Sequence, residues 1–221
     1  GLHISQNGRM LAVELERLLT QWPAPLEELS VVAHSMGGLV LRSALYYGEQ
    51  AQMHWPRFLK RIVFLGTPHH GAPLERIGNW VDTLLAATPY TAPFAAPGQV
   101  RSAGITDLRY GQLVDEDWRG HDRFRRRPDD RQIVPLPTHV ACYTVAATTT
   151  ATRDPIKDYL LADLALGDGL VPLPSALGEH EEPQRRLAPG RAGQLVLYRT
   201  HHLALLHDPR VRRQIVEWLG S

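Results

Sequence analysis

The chain carries a single cysteine, Cys142, among 221 residues, so no internal disulfide can staple it and no multi-thiolate metal site can form within one chain. Folding must therefore rest on burial. No run of apolar residues approaches the ~18 to 20 that a membrane helix requires, and no charged-then-apolar leader opens the sequence. No transmembrane segment is expected and no export address is visible, with a cytoplasmic location favoured. A surplus of either charge is also missing: 24 Lys plus Arg face 23 Asp plus Glu, which argues against a polybasic nucleic-acid partner. The run Arg123–Arg127 looks basic until Asp122, Asp129, Asp130 and Arg131 are counted with it. Five arginines against three aspartates over ten residues read as a solvated loop rather than a nucleic-acid footprint. Nor is there metal-ligand spacing. The 11 histidines include the neighbours His69-His70 and His201-His202, but adjacent side chains rarely face one ion, and no HExxH, HxH or Cys-His pattern is present. Neither a metal nor a cofactor is expected.

With 43% apolar and 21% charged residues, the composition is that of an ordinary globular domain with a sizeable core. Leu11, Leu15, Leu18, Leu19 and Trp22 recur at helical spacing before Pro23 and Pro25, which predicts one amphipathic helix. Leu29–Ala33 reads as a short strand covered on both faces. Gly37–Tyr47 reads as a helix closed by Gly48 as its C′ residue. Further strands are expected at 61–66, 139–146 and 194–199, a helix at 156–166, and a final helix capped by Asp208 with Pro209 at its first position and Val211, Ile215 and Leu219 on one face. Strands alternating with helices give an α/β class with a mostly parallel sheet flanked by helices. The stretch between the second and third strands is too long for a simple crossover, and the reading is one domain over 1–221 with a cap-like insertion at about 72–138. Trp80, Leu84, Leu85, Tyr90 and Phe94 line a tunnel or form the cap's own core, the latter being preferred.

Chemistry concentrates at Ala33-His34-Ser35-Met36-Gly37-Gly38. A serine between a buried strand and a helix, with small residues two before and two after, fits a nucleophile elbow, in which the tight approach of strand and helix excludes larger side chains at Ala33 and Gly37. The alternative is that Ser35 merely caps the helix. At an elbow the Met36 backbone N–H becomes one oxyanion donor. A serine hydroxyl needs a base, most often a histidine oriented by a carboxylate, and on such a fold the order is Ser, acid, His. Asp168, flanked by glycines, is the preferred acid, with Asp154, Asp158 and Asp163 as lesser candidates. His202 is preferred over His201 because it abuts the apolar run Leu203–Leu206, and His207 is assigned to the entry of the last helix.

These segments, with Phe64-Leu65-Gly66-Thr67-Pro68-His69-His70-Gly71, Gly167–Pro172 and His202–Leu206 in that order, resemble a serine lipase or esterase of the α/β-hydrolase superfamily. The resemblance is closest to the bacterial lipase-like branch related to GPI inositol-deacylases and triacylglycerol lipases. It implies hydrolysis of carboxylic, lipid-type esters through an acyl-enzyme, with Ser35, Asp168 and His202 as triad and Thr67–Gly71 as a pocket rim. The implied partner is a small-molecule ester or lipid; oligomeric state is open. Ala33 stands where the common pattern has glycine.

Enzymes of this kind normally place several strands before the elbow, one of them followed by a loop that donates a second oxyanion N–H. Only 34 residues precede Ser35, and they hold no such strand. The N-terminal strands are therefore expected to be missing and the chain to be the C-terminal portion of a longer enzyme. Two alternatives stay open: an acyltransferase using the same three residues, and a catalytically silent fragment that binds a lipid or protein.

Overall fold

A computed structural model describes residues 1–72, 103–120, 129–151, 167–187 and 193–220. Their order is α1 (Ile4–Gln21), β1 (Leu29–His34), α2 (Met36–Gln50), β2 (Leu59–Leu65), α3 (Ala103–Tyr110), β3 (Ala141–Thr148), α4 (Leu173–Leu177), β4 (Gln194–Tyr198) and α5 (Pro209–Gly220). The strands form one sheet in the order β1-β2-β3-β4, every pair parallel. All strands therefore end at the same edge.

The alternation of β2 shows how that sheet is covered. Ile62 and Phe64 pack into a cluster with Ala12 of α1 and Leu41, Ala44 and Leu45 of α2. Val63 and Leu65 point the other way, into a cluster with Val145, Leu197, and Val211 and Trp218 of α5. Successive side chains of a strand face opposite sides, so β2 is sandwiched between helices. This two-sided burial explains its nearly unbroken apolar sequence.

The elbow strand differs from its sequence reading. Val32 is 44% exposed, whereas Ala33 is buried and Val31 packs on the α1/α2 cluster. Among the described residues β1 is an edge strand whose outer face is open at Val32 and covered at His34 by the His202 ring. Helix α2 also departs from expectation: it runs through Gly48 to Gln50, because Gly48 lies against the Trp55 indole, 3.1 Å from the place its Cβ would take. That glycine serves packing within the helix rather than its termination. In α1, Leu11, Leu15 and Leu19 face the core, but Leu18 is exposed, as is Trp22 just past the helix end. Strand β3 begins two residues later than expected, at Ala141. The final helix has its expected start, with Asp208 accepting from the Arg210 and Arg212 backbone N–H groups.

Within the long insertion, residues 103–120 are tied to the first two helices. The Asp107 carboxylate accepts from the Ile4 N–H (2.6 Å) and pairs with the His3 ring. Asp115 binds Arg9 at 2.7 Å, and the Ser43 hydroxyl donates to the Leu113 carbonyl. Trp80, Leu84, Leu85, Tyr90, Phe94, Arg123–Arg127, Asp154, Asp158, Asp163 and the expected helix at 156–166 lie outside the described residues.

Candidate active site

Ser35 sits between the end of β1 and the start of α2 with φ +58° and ψ −129°, a region that L residues with a side chain rarely occupy. Its backbone N–H donates to the Leu65 carbonyl at 2.8 Å, which pins the turn to the end of β2. Although Ser35 occupies the N-cap position, its side chain makes no capping hydrogen bond. The hydroxyl turns instead to His202, with Oγ 2.8 Å from Nε2. The helix-cap reading of this serine therefore fails on its own geometry.

The steric requirement of the turn falls one residue later than the sequence suggests. A Cβ on Gly37 would meet nothing within 4 Å, whereas one on Gly38 would stand 2.1 Å from Thr67 Oγ1. Gly38 is the position where α2 presses on the segment leaving β2.

Asp168 and His202 reach Ser35 from two loops that are bound to each other. The Asp168 carboxylate is buried, and its Oδ1 accepts from the backbone N–H groups of Leu170 (3.0 Å) and Val171 (2.9 Å). Oδ2 lies 2.6 Å from His202 Nδ1. The Asp168 carbonyl also accepts the His202 backbone N–H at 3.0 Å, so main chain and side chain both join the pair. An acceptor-only carboxylate fixes the imidazole tautomer: the proton resides on Nδ1, leaving the Nε2 lone pair for the Ser35 hydroxyl. All three side chains are buried, at 5% exposure or less. His201, by contrast, is exposed and precedes the short helical turn His202–Leu206. Met36 opens α2, and its N–H consequently has no acceptor inside the helix.

Two further residues at this centre carry no role in the sequence reading. His34 packs its ring on His202 with centroids 4.7 Å apart, and burial, reinforced by the neighbouring His202, lowers its pKa to about 4. Gly66 has φ +54°, and a Cβ there would lie 2.9 Å from His202 Cε1. The visible signal for Gly66 is a glycine directly after an apolar strand. For His34 it is only adjacency to the serine.

The backbone is similar to that of the mature lipase BlEst2 from Bacillus licheniformis, with a TM-score of 0.53 and 18% identity over 98% of this chain and 74% of that one. The fold is α/β-hydrolase-like. The propeptide form of BlEst2 (TM-score 0.43, 20% identity, 84% of this chain and 37% of that one) and EstA from Clostridium botulinum (0.36, 12%, 81% and 60%) also match. Residues 3–108 match a domain family of unknown function, DUF7379. No curated protein matches the chain. Among the described residues no helix is long and apolar enough to cross a membrane.

Proposed function

We propose that this chain hydrolyses carboxylic esters of lipid type through an acyl-enzyme on Ser35. The observation that carries the reading is the continuous line of hydrogen bonds from the Ser35 hydroxyl through His202 to Asp168. His202 Nε2 takes the hydroxyl proton as Ser35 Oγ attacks the ester carbonyl. Asp168 holds the resulting imidazolium, and the Met36 N–H, at the positive end of α2, faces the developing oxyanion. His202 then returns the proton to the departing alcohol. A water attacking the acyl group by the same route releases the acid.

The motifs around Ser35, Thr67–Gly71 and Asp168 favour the lipase-like branch related to GPI inositol-deacylases, with the segment at about 72–138 as a cap over the substrate within a single domain. The test is Ser35→Ala. Hydrolysis of a short p-nitrophenyl ester and covalent labelling by a fluorophosphonate are both expected to vanish. Either one persisting at the wild-type level would overturn the assignment.

A further inference from the structure

A cavity of about 470 Å³ opens beside the Thr67–Gly71 loop, and Ser35, Asp168 and His202 do not line it. Its size falls within the ~300 to 1,000 Å³ of small-molecule pockets and far exceeds the ~30 Å³ share of one water. Arg42 of α2 lines it and is buried, at 5% exposure. Its guanidinium donates to the Val134 carbonyl at 2.5 Å and to His69 Nδ1 at 3.4 Å, while Nε–H has no acceptor. Asp117 acts on Arg42 through space, but its oxygens already accept from the Leu113, Val114 and Gln132 N–H groups. Among the described residues no carboxylate pairs with Arg42. A buried guanidinium without a counter-ion is costly, and a bound anion would remove that cost.

His69 is a second polar residue of the wall. It is 1% exposed, and because Nδ1 accepts from Arg42 its ring proton lies on Nε2, which has no partner. Burial, with the positive charge of Arg42 close by, holds the ring neutral. Arg131 and Arg185 also line the cavity, both bridged to Asp129 outside it. No Asp or Glu lines the cavity among the described residues, and Val134, Leu136, Val140 and Leu187 give it an apolar wall.

We propose that this cavity binds a small organic oxyanion, a carboxylate or phosphate monoester on a short apolar body, held by the positive charge of Arg42 in its wall with Arg131 and Arg185 at its margin. The cationic wall favours an anionic head group, and the apolar wall receives the body. The site is independent of the reaction proposed for Ser35.

The test is calorimetric titration of the full chain with sodium hexanoate and with hexyl phosphate, against sodium chloride at matched ionic strength, with melting temperature as a second readout. Saturable one-to-one binding of either organic anion with a rise in Tm supports the proposal, and which anion binds identifies the head group. Arg42→Met should weaken that binding roughly tenfold or more. Arg131→Gln, at the cavity margin, should weaken it less, which gives a second variant to read if Arg42→Met does not fold. Ser35→Ala should leave it unchanged. Absence of saturable binding by both organic anions to the wild-type chain, or loss of binding in Ser35→Ala, would overturn the proposal.

Discussion

At the scale of single residues, the imidazole of His202 is governed by what Asp168 can accept. Asp168→Asn keeps the shape but replaces one carboxylate oxygen with a donating amide, so His202 is driven to the tautomer whose Nε2 carries the proton and cannot receive one from Ser35. Turnover of a p-nitrophenyl ester should fall by about 10⁴-fold, whereas thermal melting should move far less. An unchanged kcat in Asp168→Asn would show that orientation by this carboxylate is irrelevant. Serine, aspartate and histidine were legible because each occupies a position where its chemistry and its local sequence agree: Ser35 between strand and helix, Asp168 between glycines, His202 before an apolar turn. His34 and Gly66 were not, because their roles arise from distances to a ring far along the chain. The same holds for Arg42 and His69, whose partners and shared cavity are assembled from distant parts of the sequence.

At the scale of elements, the joint between β1 and α2 divides two adjacent glycines into different tasks. Gly38→Ala thrusts a methyl into Thr67 and should destabilise the protein by ~1 to 3 kcal/mol through overpacking. Gly37→Ala meets open space within a helix and should be neutral or stabilising by up to ~1 kcal/mol. Urea unfolding of the two variants checks this, and equal losses would sink the argument. From the sequence both glycines look alike, since only the opposing Thr67 separates them. The strands were legible because β2 and β3 are buried on both sides and written in apolar residues. The exposure of Val32 was not, since Val31-Val32-Ala33 is just as apolar although Val32 faces outward. Gly48 misled for a related reason: a glycine near a helix end signals termination in the absence of Trp55.

For the molecule as a whole, three histidines withdrawn from solvent, His69 fully and His34 and His70 in large part, contribute to the response to acid. His34 and His70 are lowered by burial to about 4 and about 3, and His69 is lowered well below its ordinary value by the same cause. As pH falls below 6.5, the unfolded chain takes up these protons while the fold does not. Stability is therefore complete above that value and declines through the interval down to the folded pKa values. Each neutral histidine contributes a slope of up to ~1.4 kcal/mol per pH unit. Denaturant titrations at pH 7, 6 and 5 should show a monotonic loss, and a flat profile would contradict the neutral state of these rings.

The double linkage between Asp168 and His202 has a mechanical consequence for this architecture. Carboxylate and imidazole are clasped through both backbone and side chain, so thermal breathing of the sheet edge carries them as a single rider. Ser35 is anchored to Leu65, which packs against Leu205 of the turn that carries His202. The Oγ–Nε2 contact, a single side-chain bond, is therefore the least reinforced link of the three.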